Sequence, residues 1–169
     1  MIINGKALKY GDLVDTDVIL PGKYLGITDP YELAKYAMKG LDQSFTEKVK
    51  EKTIIVAGRN FGCGSSREEA PVALKYAGVQ CIIAEFFARI FYRNAINLGL
   101  PILECKGVSL KVSEGDLLNI DIGNGIIHNE TENETYKAIA LPAFILEIIE
   151  DGGLVEHLKK RGERTGGNL

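Results

Sequence analysis

The chain has 169 residues, 46% hydrophobic and 25% charged, with a formal net charge of -3. That length is enough to bury a core without disulfides or metals, and the balance is that of an ordinary globular chain. Acidic and basic residues are interspersed, so no basic face suited to nucleic acid emerges. No apolar run approaches the roughly 20 residues that span a bilayer.

The N-terminal stretch from Met1 to Asp12 lacks the charged, apolar and cleavage regions of a signal peptide. A cytoplasmic chain is expected, with neither nucleic acid nor membrane as partner. Cys63, Cys81 and Cys105 are odd in number and contain no C-x-x-C element, which argues against a disulfide framework or a local zinc or iron-sulfur motif. Only His128 and His157 could add further soft ligands, so no metal site is expected on this chain.

Asn4-Gly5 between apolar residues predicts a β-hairpin within the first ten residues. A Gly- and Pro-containing loop from Pro21 to Pro30 follows. Asp29, as N-cap, and Pro30, at the first helical position, open a helix expected to run to Gly40. The β-branched run Thr53 to Ala57 predicts a buried strand ending in the loop Gly58 to Gly64. A helix is expected from Ser66 to Ala77, a strand at Cys81 to Ala84, a helix from Phe86 to Leu98 and a strand at Pro101 to Leu103. This alternation implies three parallel strands. Further strands are expected at Val108 to Val112, Leu117 to Ile122 and Ile126-Ile127, and helices at Leu141 to Glu150 and Leu154 to Lys160. The fold class is therefore α/β, with residues 1–160 as one domain and 161–169 as a mobile, apolar-poor tail.

The stretch Gly58 to Glu69 carries the chemistry. It sits where a parallel strand turns toward a helix, the place where open α/β sheets bind ligands. Glycines let the backbone approach an anion, Ser65 and Ser66 supply hydroxyls, and Arg67 supplies a planar fork suited to a carboxylate. The competing reading is local: Ser65 with Glu68, or Ser66 with Glu69, matches a capping box, so either serine could be only a helix N-cap. Arg67 stands where a dinucleotide fingerprint would want its third glycine, and no Walker lysine or hydrolase elbow is present. Cys63 reads either as a nucleophile without a nearby histidine or as an inert thiol. Arg89 and Arg93 share one helix face, read as solvated rather than as binding substrate or a partner. Phe86, Phe87, Ile90, Phe91 and Ile96 read as core, and His128 and His157 as isolated surface histidines.

Asn60 to Glu69, followed by Phe87 to Gly99 and preceded by Asp15 to Pro21, closely resembles the small subunits of isopropylmalate and homoaconitate isomerases. These are equivalent to the swivelling C-terminal domain of aconitase. The resemblance runs from about Lys6 to Ile149. It implies a swivelling β/β/α domain with a parallel β-α-β core and added β-hairpins. It also implies that Ser65 is the base that removes a proton alpha to a carboxylate, that Ser66 and Gly64 adjoin it, and that Arg67 holds a substrate carboxylate. The [4Fe-4S] cluster that serves as Lewis acid would be held by a large subunit, an obligatory partner. Glu69 stands where many relatives carry histidine, which leaves its role open.

In the family, the residues after a Tyr-Leu pair meet the variable substituent, which here would be the loop Tyr24, Leu25, Gly26 and Ile27. Gly26 and Ile27 offer no cation, so an alkyl-substituted malate is favoured, with 2-isopropylmalate foremost. Lys23 lies close by. Homoaconitate, dimethylmalate or citramalate as substrate, and a non-catalytic anion-binding docking module, are the alternatives.

Overall fold

The computed structural model describes residues 1–49 and 52–165. Strand β1 (Ile2–Lys9) leads into helix α1 (Thr16–Ile19), a 3-10 turn at Gly22–Tyr24, and helices α2 (Pro30–Ala34) and α3 (Phe45–Lys48). Next come β2 (Thr53–Val56), β3 (Arg59–Phe61), α4 (Glu69–Ala77), β4 (Val79–Ala84), β5 (Phe86–Phe87), α5 (Arg89–Leu98) and β6 (Ile102–Glu104). The described chain closes with α6 (Val108–Lys111), β7 (Leu117–Asp121), β8 (Ile126–Asn129), β9 (Glu134–Lys137), α7 (Ala143–Glu150) and α8 (Leu154–Thr165).

Seven strands form one sheet in the order β6-β4-β2-β1-β7-β8-β9. The half from β6 to β1 is parallel and the half from β1 to β9 antiparallel. Strand β2 is buried along its whole length. Its alternation sends Ile55 into the apolar cluster shared with α2, α4 and α5, and Ile54 and Val56 into the cluster on the other face. Strand β4 repeats this, with Ile82 on the first side and Cys81 and Ile83 on the second. Continuous apolar strands are what a parallel sheet covered on both faces requires. Fully burying each such side chain contributes about 1.5–3 kcal/mol.

The three parallel strands β2, β4 and β6 match the expectation, and several local readings are corrected. Asn4-Gly5 makes no hairpin: β1 runs straight through it, and a Cβ on Gly5 would overlap the Lys52 carbonyl. The glycine serves close approach of neighbouring backbone. Helix α2 stops at Ala34, well short of Gly40. Beyond it Met38 adopts a positive φ, and the Met38 and Gly40 amides donate to the Ile19 and Val18 carbonyls at 2.6 and 3.0 Å. The segment read as a strand from Val108 to Val112 is instead helix α6 capped by Val112, with Val108 and Val112 buried four apart and Leu110 89% exposed; a strand would place all three on one face. Strand β9 went unread because Tyr136 is its only buried residue. Helix α8 continues through Thr165, into the segment read as a tail, whose last residues 166–169 lie outside the described residues.

Candidate active site

The loop after β2 is built by a second, two-stranded sheet that sequence reasoning did not anticipate. In it β3 pairs with β5 in parallel, and the Ala88 amide donates to the Phe61 carbonyl at 2.9 Å. Beneath it Phe61 packs edge-on against Phe87 and Phe91, at 6.0 and 5.2 Å between ring centroids. Such pairs contribute about 0.5–1.5 kcal/mol each beyond buried area. This pairing delays α5 to Arg89 and brings its first turn alongside the glycine loop. Phe86 and Ile90, read as core, are each 44% exposed as a result.

On its other side the loop is laced to the Asp15-Thr16-Asp17 segment. The Thr16 amide donates to the Cys63 carbonyl at 2.8 Å, and the Thr16 hydroxyl to the Ser65 carbonyl at 2.8 Å. Gly62 and Gly64 both hold positive φ; a Cβ on Gly62 would overlap the Phe91 ring, and one on Gly64 would lie 2.6 Å from the Asp15 carboxylate. No other residue type fits both the turn and the crowding.

These contacts frame a cleft of about 290 Å³. Gly64, Ser65, Ser66 and Arg67 line it together, joined by Thr16, Arg89 and Asn94. Ser65 and Ser66 are exposed. Helix α4 begins only at Glu69 and has no side-chain cap, so neither serine is an N-cap. Their hydroxyls make no hydrogen bond with the described residues and point their capacity at solvent or a ligand. Arg67 is held firmly: one guanidinium nitrogen donates to the Leu20 carbonyl at 2.8 Å and the other pairs with Asp17.

The Tyr24 to Ile27 loop is not brought to the cleft wall. Tyr24, Leu25 and Ile27 pack against the first apolar cluster, and Tyr24 stacks on Tyr36 at 4.0 Å. Only Gly26 stands clear, exposed and with open space where a Cβ would be. The loop reaches the site through Gly22, whose Cβ would sit 3.6 Å from Arg67 Nη2. Lys23 is occupied over the Tyr24 ring, 4.9 Å from its centroid.

Other candidates resolve as structural. Partial burial and then the Asp15 carboxylate push the Cys63 thiol up, so it stays protonated. Cys81 and Cys105 are buried in the second apolar cluster. Among the described residues, no group of three His, Cys, Asp or Glu is placed to hold a metal ion. His157 is not an isolated surface histidine: it is buried and 2.8 Å from Asp151. Thr16, Asp17, Arg89 and Asn94 were not read as site residues. The polar run Asp15 to Asp17 was the available signal; Arg89 is exposed, as read, and its place in the cleft lining went unseen because its helix start was set three residues early.

Residues 28–107 match the family described as the aconitase C-terminal domain. The chain is 58% identical over 160 residues to the isopropylmalate/citramalate isomerase small subunit of Methanocaldococcus jannaschii, covering 95% of each. It is 54% identical over 159 residues to the 3-isopropylmalate dehydratase small subunit of Caldanaerobacter subterraneus subsp. tengcongensis, covering 94% of this chain and 99% of that one. The chain belongs to the 3-isopropylmalate dehydratase small-subunit family. The fold agrees: the crystal structure of a 3-isopropylmalate dehydratase from Methanocaldococcus jannaschii superposes with a TM-score of 0.95 at 49% identity, over the full length of both chains. The expected aconitase-type α/β architecture is thus the observed one. No helix among the described residues is long and apolar enough to cross a membrane.

Proposed function

We propose that this chain is the small subunit of a cytoplasmic hydro-lyase that dehydrates and rehydrates an alkyl-substituted malate, 2-isopropylmalate to 3-isopropylmalate, as in leucine biosynthesis. The observation that carries this is the cleft loop, where two serine hydroxyls that bond none of the described residues stand beside a fixed arginine. The docking-module alternative needed Ser65 as a helix cap, and α4 starts too late for that.

In this reading Ser65, as its alkoxide, takes the proton from the carbon alpha to a substrate carboxylate and becomes the neutral hydroxyl, with Ser66 and the Gly64 backbone beside it. Its carbonyl is fixed by Thr16 while its hydroxyl stays free to turn. Arg67 receives a carboxylate in its planar fork, sharing the guanidinium with Asp17. A [4Fe-4S] cluster on the large subunit supplies the Lewis acid for the departing hydroxyl. Tyr24 to Ile27 stand outside the cleft walled by this chain alone, and in this reading they meet the substituent only in the assembled complex: Gly26 is the one open position there, and it offers no cation to a third carboxylate.

The test is dehydration by this chain with and without its large subunit, offered 2-isopropylmalate, citramalate and homocitrate. The chain alone is expected to be inactive, and the complex to favour 2-isopropylmalate. A complex that prefers homocitrate contradicts the substrate assignment. Activity of the chain alone contradicts the division of labour.

A further inference from the structure

The cleft contains one charge that none of the described residues neutralises. Arg67 is balanced by Asp17 and anchored on the Leu20 carbonyl. Arg89, the other charged residue lining the cleft, is exposed and makes no ion pair or hydrogen bond with any described residue. No acidic side chain lines the cleft among the described residues.

Arg89 is also oddly placed for a residue of merely structural use. It is the first residue of α5, a ten-residue helix with no side-chain cap and no acid in its first turn. A helix start disfavours a cation, because its free amides already carry partial positive charge. An anion seated there would satisfy both the amides and the guanidinium.

We propose that Arg89 is a second carboxylate-binding residue of the site, which rests on the reading that the cleft takes a malate-type substrate. Such a substrate carries two carboxylates. Arg67, already shared with Asp17, takes one of them, and Arg89 receives the other in its own fork across the cleft. Holding both ends fixes which carbon is presented to Ser65, a positioning that a single clamp on a small flexible acid does not give.

The experiment uses the complex assembled with its large subunit and 2-isopropylmalate as substrate. Arg89→Gln should raise KM about tenfold to a hundredfold, the scale of a lost charge-assisted contact, with a smaller change in kcat. Arg89→Lys should fall between, since it keeps the charge and loses the fork. Melting temperature and subunit association should stay at wild-type values, because Arg89 has no partner among the described residues. Unchanged KM in both variants, with Ser65→Ala inactive, overturns the role of Arg89 and leaves the Ser65 reading standing. Weakened association with normal KM at saturating large subunit also overturns it, making Arg89 a docking residue. Near wild-type turnover by Ser65→Ala removes the reading on which the inference rests.

Discussion

In the antiparallel half of the sheet, the polar side chains between β7 and β8 are consumed by the chain itself. Asp116, 4% exposed, accepts from the Ser113 amide at 2.8 Å and the Asn129 side-chain amide at 2.7 Å. Asn129 in turn accepts from the Thr131 and Glu132 amides at 3.1 and 3.2 Å. In the parallel half, at the cleft, the backbone is tied down as thoroughly, yet the side chains of Ser65, Ser66 and Arg89 bond to none of the described residues. Both are polar turns at the margin of one sheet. The difference lies in where hydrogen-bonding capacity ends up: a turn kept for stability spends it internally, whereas a site holds its frame rigid and leaves the reactive groups unspent.

The largest effect that would break this contrast is on the stability side. Asp116→Ala strands two donors in a buried turn and should cost about 3 kcal/mol, lowering the melting temperature by roughly 6 to 12 °C for a chain of this size. Activity of the assembled complex at low temperature should stay near wild type. A stable but inactive variant would place function in the wrong half of the sheet.

Specificity gives the next effect. Gly26→Arg should fold normally, since nothing lies within 4 Å of a Cβ there. It should shift the ratio of kcat/KM for homoaconitate over 2-isopropylmalate by at least about tenfold, because a guanidinium enclosed in the assembled complex rewards a carboxylate and penalises an alkyl group. A ratio that does not move would detach the Tyr24 to Ile27 loop from the pocket.

The smallest effect concerns the other internally spent network, which ties the end of β1 to the segment before α3. Tyr10 donates to Asp42 at 2.9 Å, alongside Lys48 at 2.8 Å and the Ser44 amide and hydroxyl. Burial alone would raise the Asp42 carboxyl, but these donors outweigh it and hold it down at about 2. The group therefore contributes stability that is fully present above its ordinary value of 3.8 and is lost as pH falls toward about 2. Tyr10→Phe should cost about 1 kcal/mol and move the acid-unfolding midpoint to higher pH, as read by circular dichroism. An unmoved midpoint would show that Tyr10 contributes nothing to holding the carboxylate.

The parallel core was legible because β2 and β4 are short, β-branched and apolar on both faces, a pattern with few competing explanations. The Asn4-Gly5 and Val108 to Val112 readings failed because a local signal has more than one cause. A glycine can mark a turn or a close approach, and two valines four apart suit a helix when the residue between them is solvated. Ser65, Ser66 and Arg67 were readable as a loop able to meet an anion. Whether the serines capped α4 was not, since that depended on β3 pairing with β5, a contact between segments some 25 residues apart. The same pairing brought Arg89 into the cleft, and no local pattern announces it.

The measurement that bears most directly on the contrast is turnover of 2-isopropylmalate by the assembled complex carrying Ser65→Ala. The hydroxyl bonds none of the described residues, so its loss should leave melting temperature and subunit association unchanged while turnover falls by at least about a thousandfold. A complex that keeps near wild-type turnover would contradict the account, leaving the unspent hydroxyl of the cleft without a role in the chemistry.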